Sequence, residues 1–260
     1  MLSATQLLEN LLDRARPATG TETVATSDAL GRVLAAPQVS TLTVPPLDNS
    51  AMDGYAVRRA DVVRAGVRLP VSQRIMAGEV GQALAAGTAA RIFTGAPVPE
   101  GADAVLMQED CVAEGDAVVI NALPRPGENI RRAGEDIEAG AQILAAGTRM
   151  TAAEMGLAAS VGLAQVPVFK RLRVACFFTG DELVTPGTPL APGQIYNSNR
   201  YTLTGLVNDL GCELIDLGIV PDTLEATEAA LARAAREADV VVTSGGVSVG
   251  EADYVKTAVE

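Results

Sequence analysis

The sequence predicts a multidomain chain that joins an α/β domain, built on a parallel βαβ sheet, to a β-rich module. Three observations carry this. From Asp48 to about Asn121, glycine and proline recur every few residues between short apolar runs such as Ala104–Met107 and Ala117–Ile120, the texture of short strands separated by turns. After Pro167 the pattern changes to β-α-β-α-β, a spacing that yields a parallel sheet with right-handed crossovers. The chain has 260 residues, of which 48% are apolar and 20% charged, sufficient for one or two domains with buried cores.

The elements follow in order. Ser3 and Gln6 form a capping-box pattern ahead of Leu7, Leu8, Leu11, Leu12 and Ala15, one apolar face of a helix that Pro17 ends. A short second helix fits Ser27 to Ala36. Val44-Pro45-Pro46 breaks helical structure and reads as a linker into the β-rich stretch. Leu-Ala-Ala-Gly-Thr occurs at 84–88 and again at 144–148, but two copies of a turn do not make a repeat protein. A second capping box, Thr151 with Glu154, opens a helix that offers Met155, Leu157, Ala158 and Val161 for packing. Val174–Phe178 then reads as a buried strand, Ser198–Leu210 as a helix stopped by Gly211, and Leu214–Val220 as a second strand. Thr223–Ala238 reads as an alanine-rich helix and Asp239–Thr243 as a third strand.

Composition excludes several functions. There is no histidine, so no Ser-His-Asp or Cys-His nucleophile and no imidazole ligand; acid–base work falls to carboxylates, lysine, tyrosine, cysteine or water. Aromatic residues make up 3% and tryptophan is absent, which argues against stacking platforms for single-stranded nucleic acid. A net charge of −12 disfavours nucleic acid and anionic membranes as partners. Positive charge is mostly arginine, with lysine only at Lys170 and Lys256. Cys111, Cys176 and Cys212 form no CxxC pair, which suits a reduced, cytoplasmic compartment. No run of 18 apolar residues is present to span a membrane, and the first residues lack the pattern of a signal peptide.

Ligands of open α/β sheets sit outside the carboxyl ends of the strands. After the first strand comes Thr179-Gly180-Asp181-Glu182. After the second comes Gly218-Ile219-Val220-Pro221-Asp222. After the third comes Ser244-Gly245-Gly246-Val247-Ser248-Val249-Gly250-Glu251-Ala252-Asp253. Each exit carries a carboxylate, so Glu182, Asp222 and Asp253, if they converge, make an oxygen-only site for a hard cation such as Mg²⁺. The Gly-Gly turn with Ser244 and Ser248 offers N–H and hydroxyl donors to a phosphate. The plainer alternatives are that Asp222 lies near a helix N-cap and that Gly-Gly is an ordinary turn. Residues 171–260 carry 13 acids and 6 bases, a field that repels a bare phosphate and favours a bridging metal over an arginine clamp.

The β-rich stretch has candidates of its own. Asp48-Asn49-Ser50-Ala51-Met52-Asp53-Gly54-Tyr55 gathers polar residues around one methionine, although Asp53-Gly54 alone reads as a tight turn. Thr94-Gly95-Ala96-Pro97 reads as a rigid loop. Asn129 through Asp136 sets Arg131 and Arg132 beside Glu135 and Asp136. Either the arginines meet an anion or they pair with these acids, and the spacing favours pairing.

These stretches, with Pro45-Pro46 ahead of them and Tyr254 after them, occur in an order that closely resembles the MoeA family of molybdopterin molybdenumtransferases, to which the E domain of gephyrin belongs. The resemblance runs from the first helix to the last residue. It implies Mg²⁺-dependent insertion of molybdate into adenylylated molybdopterin with release of AMP. It implies Asp53, Thr94, Asp136, Glu182, Asp222 and Asp253 as catalytic positions, with Glu182, Asp222 and Asp253 on the metal. Thr179, Gly180, Ser244, Gly245, Gly246 and Ser248 are then the cofactor-binding set. On this reading residues 1–20 form a helix packing with the α/β domain, 21–45 and 137–170 a small linking α+β domain, 46–136 an inserted β-rich domain and 171–260 the molybdopterin-binding domain. Family chains continue past the Gly250–Tyr254 segment, so the α/β domain is expected to be incomplete at its C-terminus. The resemblance further implies an elongated homodimer whose active site is shared between the α/β domain of one subunit and the β-rich domain of the other, and allows a molybdopterin adenylyltransferase-type partner. Two alternatives stand beside it: an adenylyltransferase-like enzyme, against which the β-rich module argues, and a non-catalytic molybdopterin-binding scaffold.

Overall fold

The computed structural model describes residues 3–246 and 254–259. The chain begins with α1 (Ala4–Arg14), β1 (Thr21–Ala25) and β2 (Gln38–Val39). The β-rich stretch follows as β3 (Asn49–Ser50), β4 (Gly54–Val57), β5 (Val67–Ile75), β6 (Ala89–Ile92), β7 (Ala104–Met107), β8 (Cys111–Glu114), β9 (Ala117–Ile120) and β10 (Ile130–Arg131). Next come β11 (Gln142–Leu144), α2 (Ala152–Ser160), β12 (Gln165–Phe169), β13 (Arg173–Thr179), β14 (Leu183–Val184) and β15 (Ile195–Tyr196). The last elements are α3 (Ser198–Asp209), β16 (Glu213–Val220), α4 (Leu224–Glu237), β17 (Val240–Ser244) and α5 (Val255–Val259). The chain forms two compact units, one of Pro37–Ala145 with Gly156–Leu163, the other of Met1–Ala36, Ala146–Met155 and Ala164–Glu260. Residues assigned from the resemblance to a linking domain fall partly in each.

The β-rich unit is organised by a six-stranded sheet in the order β7-β4-β6-β5-β9-β8. β4 lies inside it, antiparallel to both β6 and β7, and all four of its residues are buried. Side chains alternate across a strand. Tyr55 and Val57 therefore join a core with Leu69, Leu106, Val118 and Ile120, while Ala56 joins a second core with Ile75, Ile92 and Val105. Gly54 opens the strand because nothing larger fits: a Cβ there would lie 1.8 Å from the Leu106 carbonyl oxygen.

In the other unit the predicted alternation is present with its ends moved by a residue or two. β13, β16 and β17 form a parallel sheet in the order β16-β13-β17. Thr223 caps α4, its side chain accepting from the Ala226 N–H, and Gly211 ends α3 at φ +74°. Val174, Cys176, Phe178 and Val207 form one core cluster; Phe177, Val220 and Val255 form another on the opposite face of β13. Arg173 and Asp239 join the start of β13 to the start of β17 through an ion pair at 2.9 Å.

One expectation is corrected. Ser27–Ala36 is not a helix. A 3₁₀ turn at Thr26–Asp28 passes through Gly31 at φ +73°, and Val33 and Leu34 then bridge Arg149 and Val168. Leu34, fully buried, stabilises more by joining that sheet edge than the short stretch gains from helix propensity. The first helix forms with its Ser3–Gln6 capping box, but no residue of it is buried, and Leu7, Leu8, Leu11 and Leu12 are 50–64% exposed. No helix among the described residues is long and apolar enough to cross a membrane.

Candidate functional site

In the β-rich unit three motifs distant in sequence meet on β3. On one side Ser50 N–H donates to the Ala96 carbonyl at 2.9 Å, Gly95 N–H donates to the Ser50 carbonyl at 2.8 Å and Asn49 bridges Pro97. On the other side Ser50 pairs with Ile130 and Asn49 with Arg131. The Phe93–Ala96 turn closes through Ala96 N–H to the Phe93 carbonyl at 2.9 Å, with Gly95 at φ +83°, the left-handed position a type II turn demands. That turn presents Thr94 to Asp53: the Thr94 N–H and hydroxyl donate to Asp53 Oδ1 at 2.8 and 2.7 Å. These two bonds, ahead of the Arg91 charge, hold the Asp53 carboxyl below its usual range.

Asp136 is held by Arg131 at 2.6 Å, with Glu135 on the same guanidinium at 3.5 Å. Arg132 reaches Asp48 at 2.5 Å, and the Ala133 N–H donates to the other Asp48 oxygen at 2.9 Å. Pairing is thus what the structure shows for both arginines, with Asp48 a partner that local spacing does not reveal. The backbone N–H of Ala133, then Arg132, keeps Asp48 below the ordinary carboxylate value.

Sequence reasoning missed Arg91 behind Asp53. Arg91 donates to the Gly54 carbonyl at 3.0 Å and to Gln108 Oε1 at 2.7 Å, and Gln108 N–H in turn donates to the Asp53 carbonyl at 3.0 Å. The signal was a cation, Arg91, three residues before Thr94 in a short strand of an acidic chain.

In the α/β unit the first strand of the βαβ series, β13, is central, so the chain reverses its direction of travel across the sheet between β13 and β17. Their carboxyl ends are where such sheets bind ligands. A polar pocket of about 310 Å³ opens there, lined by Thr179, Glu182, Tyr196, Ser198, Asn199, Ser244 and Gly245 among others. Gly245 and Gly246 fold over Thr179: a Cβ on Gly245, at φ +106°, would lie 2.6 Å from both the Thr179 carbonyl and its hydroxyl. Glu182 curls back over Gly180, where a Cβ would meet its carboxylate at 2.6 Å.

The three exit carboxylates are placed differently from one another. Glu182 lines the pocket. Asp222 accepts from the Asp181 N–H at 3.1 Å and Asp181 from the Asp222 N–H at 3.3 Å, a clip between the exits of β13 and β16. Asp253 and Ser248 lie outside the described residues. Among the described residues no three His, Cys, Asp or Glu side chains gather as a metal site. Mg²⁺ nonetheless suits the donors around Glu182, a carboxylate with the Thr179 and Ser244 hydroxyls, because that ion is held by one or two carboxylates with substrate phosphates and water completing its shell.

The start of α3 also belongs to this pocket, and sequence reasoning overlooked it. Asn199 Nδ2 donates to Ser244 Oγ at 2.8 Å, tying the helix to the exit of β17. Asn197, 2% exposed, caps the helix through Oδ1 to the Arg200 N–H at 3.1 Å. Its Nδ2 has no partner among the described residues. The polar run Asn197-Ser198-Asn199 opening a predicted helix was the available signal.

Burial pushes the Cys111 thiol up to about 11 and raises that of Cys176.

Asp48, Asp53, Glu154 and Asp239 all hold lowered pKa values, Glu154 through the Thr151 hydroxyl and Asp239 through Arg173. A carboxyl whose folded pKa is depressed adds stability above its unfolded pKa and loses it as pH falls through the folded value. The melting temperature is therefore expected to hold steady down to about pH 5 and to drop steadily below about pH 4. Thermal melts from pH 7 to pH 3 check this. Asp239→Asn should melt lower at pH 7 and show a smaller acid-induced drop than wild type; an unchanged profile would remove that pair from the account.

A central first strand, a polar pocket at the carboxyl ends and a separate β-rich unit carrying Asp53–Thr94 define an α/β ligand-binding protein with an added β module. Residues 2–162 match the family described as the MoeA N-terminal region, domains I and II, and residues 175–260 match a probable molybdopterin binding domain. The chain belongs to the MoeA family. It is 43% identical over 262 residues to the molybdopterin molybdenumtransferase of Haemophilus influenzae, covering 100% of this chain and 65% of the relative. It is 46% identical over 254 residues to that of a Nostoc species, covering 96% and 58%. A solved structure, the molybdopterin biosynthesis MoeA protein of Pyrococcus horikoshii, superposes with a TM-score of 0.86 at 33% identity, covering 94% of this chain and 66% of that one. The chain thus spans about three fifths of the length of the two curated relatives.

Proposed function

We propose that this chain carries the molybdopterin-binding and β-rich parts of a cytoplasmic enzyme that inserts molybdate into adenylylated molybdopterin and releases AMP. The observation that supports it most is the pocket at the carboxyl ends of β13 and β17. It sets the Glu182 carboxylate among hydroxyl and amide donors, in a family whose members with matching sequence are named molybdopterin molybdenumtransferases. In this reading Thr179, Ser244 and Asn199 orient oxygens of the pterin ligand, and the orphan amide of Asn197 adds a donor to the pocket wall. Glu182, with Asp222 and Asp253, would hold Mg²⁺, and the ion would supply positive charge against the linkage between pterin and AMP. Asp53, kept anionic by Thr94, accepts a proton or orients a water for the same reaction, with Asp136 as a supporting carboxylate.

The test supplies the full-length protein with adenylylated molybdopterin, molybdate and Mg²⁺ and measures AMP release against molybdenum incorporated. One AMP per metal inserted is expected. Formation of adenylylated pterin from molybdopterin and ATP would favour the adenylyltransferase reading, and ligand binding without AMP release the scaffold reading.

A homodimer is part of the proposal, and subunit mixing tests it. Asp53→Ala and Glu182→Ala chains, each inactive, are expected to regain part of the wild-type activity once they exchange subunits. No recovery after demonstrated exchange would show that the two groups do not complement across chains.

A further inference from the structure

Arg74 in β5 and Arg91 in β6 are register partners on adjacent parallel strands, so both side chains leave the sheet on one face. Each guanidinium carbon lies 4.6 Å from the centroid of the same ring, Phe93, one residue before Thr94. Arg91 lies 5.2 Å from the Tyr55 ring as well, and two of its nitrogens are taken by Gly54 and Gln108. Arg74 differs. It is exposed, and among the described residues it pairs with no carboxylate. Glu79, on the same cleft, accepts from the Met76 N–H at 3.1 Å instead.

Two like charges on one ring repel each other, in a chain with 32 acids and 20 bases. Phe93 holds both guanidinium groups, and since Arg91 spends two nitrogens within the protein, Arg74 is the arginine whose N–H fork is left for two oxygens of an oxyanion. A cleft of about 420 Å³ opens at Arg74, bounded by Ser72, Gln73 and the 79–85 loop. We propose that Arg74, held on Phe93 beside Arg91, binds a dianionic tetrahedral oxyanion at this cleft. The ligand is molybdate or the phosphate of AMP, each a dianion at neutral pH, and the inference rests on the proposed function for that choice.

Calorimetric titration of the full chain at low salt, with molybdate and separately with AMP, tests it and distinguishes the two sources. Saturable binding of at least one is expected. Arg74→Gln should weaken that same ligand about tenfold, and Arg74→Lys should recover only part, since an ammonium restores charge without the fork. Arg68→Gln, on the same strand but paired with Glu114, should bind as wild type. Thermal melts of the variants confirm folding, and the lysine variant keeps the test open should the glutamine variant melt early. Wild-type affinity in both Arg74 variants, or binding of neither anion by wild type, overturns the inference. Arg74-dependent binding without molybdenum insertion would sink the proposed function and keep this site. Insertion with Arg74-independent binding would do the reverse.

Discussion

Replacing Glu182 by glutamine is expected to slow molybdenum insertion by about 10²-fold or more in the full-length protein, the scale of losing one preorganised charge contact. Glu182 is the exit carboxylate that lines the pocket, whereas Asp222 is engaged with the Asp181 backbone. Glutamine keeps the size of the side chain and one carbonyl oxygen, so the pocket should persist while the negative charge goes. The loss should fall on turnover, and raising Mg²⁺ should restore part of it if the carboxylate's task is to hold the ion. Asp222→Asn should cost less activity and more stability, because its visible role is the clip to Asp181. A Glu182→Gln enzyme working at the wild-type rate would remove the carboxylate from the mechanism.

Gly54→Ala is expected to destabilise the β-rich unit by about 3 kcal/mol or more, at the upper end of overpacking in a closed core. The added methyl would sit 1.8 Å from the Leu106 oxygen and 2.8 Å from its carbonyl carbon. Backbone is what it meets, so no side chain can rotate away, and β4 must separate from β7. Gln108 N–H to the Asp53 carbonyl and Arg91 to the Gly54 carbonyl would break with it, linking a packing fault to the Asp53–Thr94 pair. Denaturant unfolding should show the midpoint shift, and activity should fall with it. Gly31→Ala makes the contrast: nothing lies within 4 Å of a Cβ there, so only the positive φ opposes it and the loss should be about 1 kcal/mol. Equal stability of Gly54→Ala and wild type would mean that the two strands do not approach as closely as described.

Much of the α/β unit was legible from periodicity. Helices α3 and α4 and strands β13, β16 and β17 each lie within two residues of their predicted ends, because their signals are local: Gly211 as a stop, an alanine-rich run with one polar face for α4, runs of Val and Ile for buried strands. The Ser27–Ala36 stretch misled because its apolar residues fit a helix, while a partner from the distant 146–170 region claims Leu34 as an edge. For the same reason the first helix was legible as a helix, whereas its environment was not. A capping box reports backbone geometry and says nothing of what covers the leucines.

The sequence alone put forward candidates for the chemistry. The carboxylate after each strand and the Gly-Gly turn pointed to Glu182 and Ser244, and the resemblance to the MoeA family pointed to Asp53 and Thr94. Only the tertiary structure decided their company. Thr94 reaches Asp53 because a type II turn and a β bridge on Ser50 bring together residues about 40 apart. Arg132 chooses Asp48 over the nearer acids because β10 pairs with β3. Asn199 enters the pocket because strand order places β17 beside β13. Hydrogen bonding and Coulomb attraction act over a few ångströms of space, a distance that position along a chain does not encode.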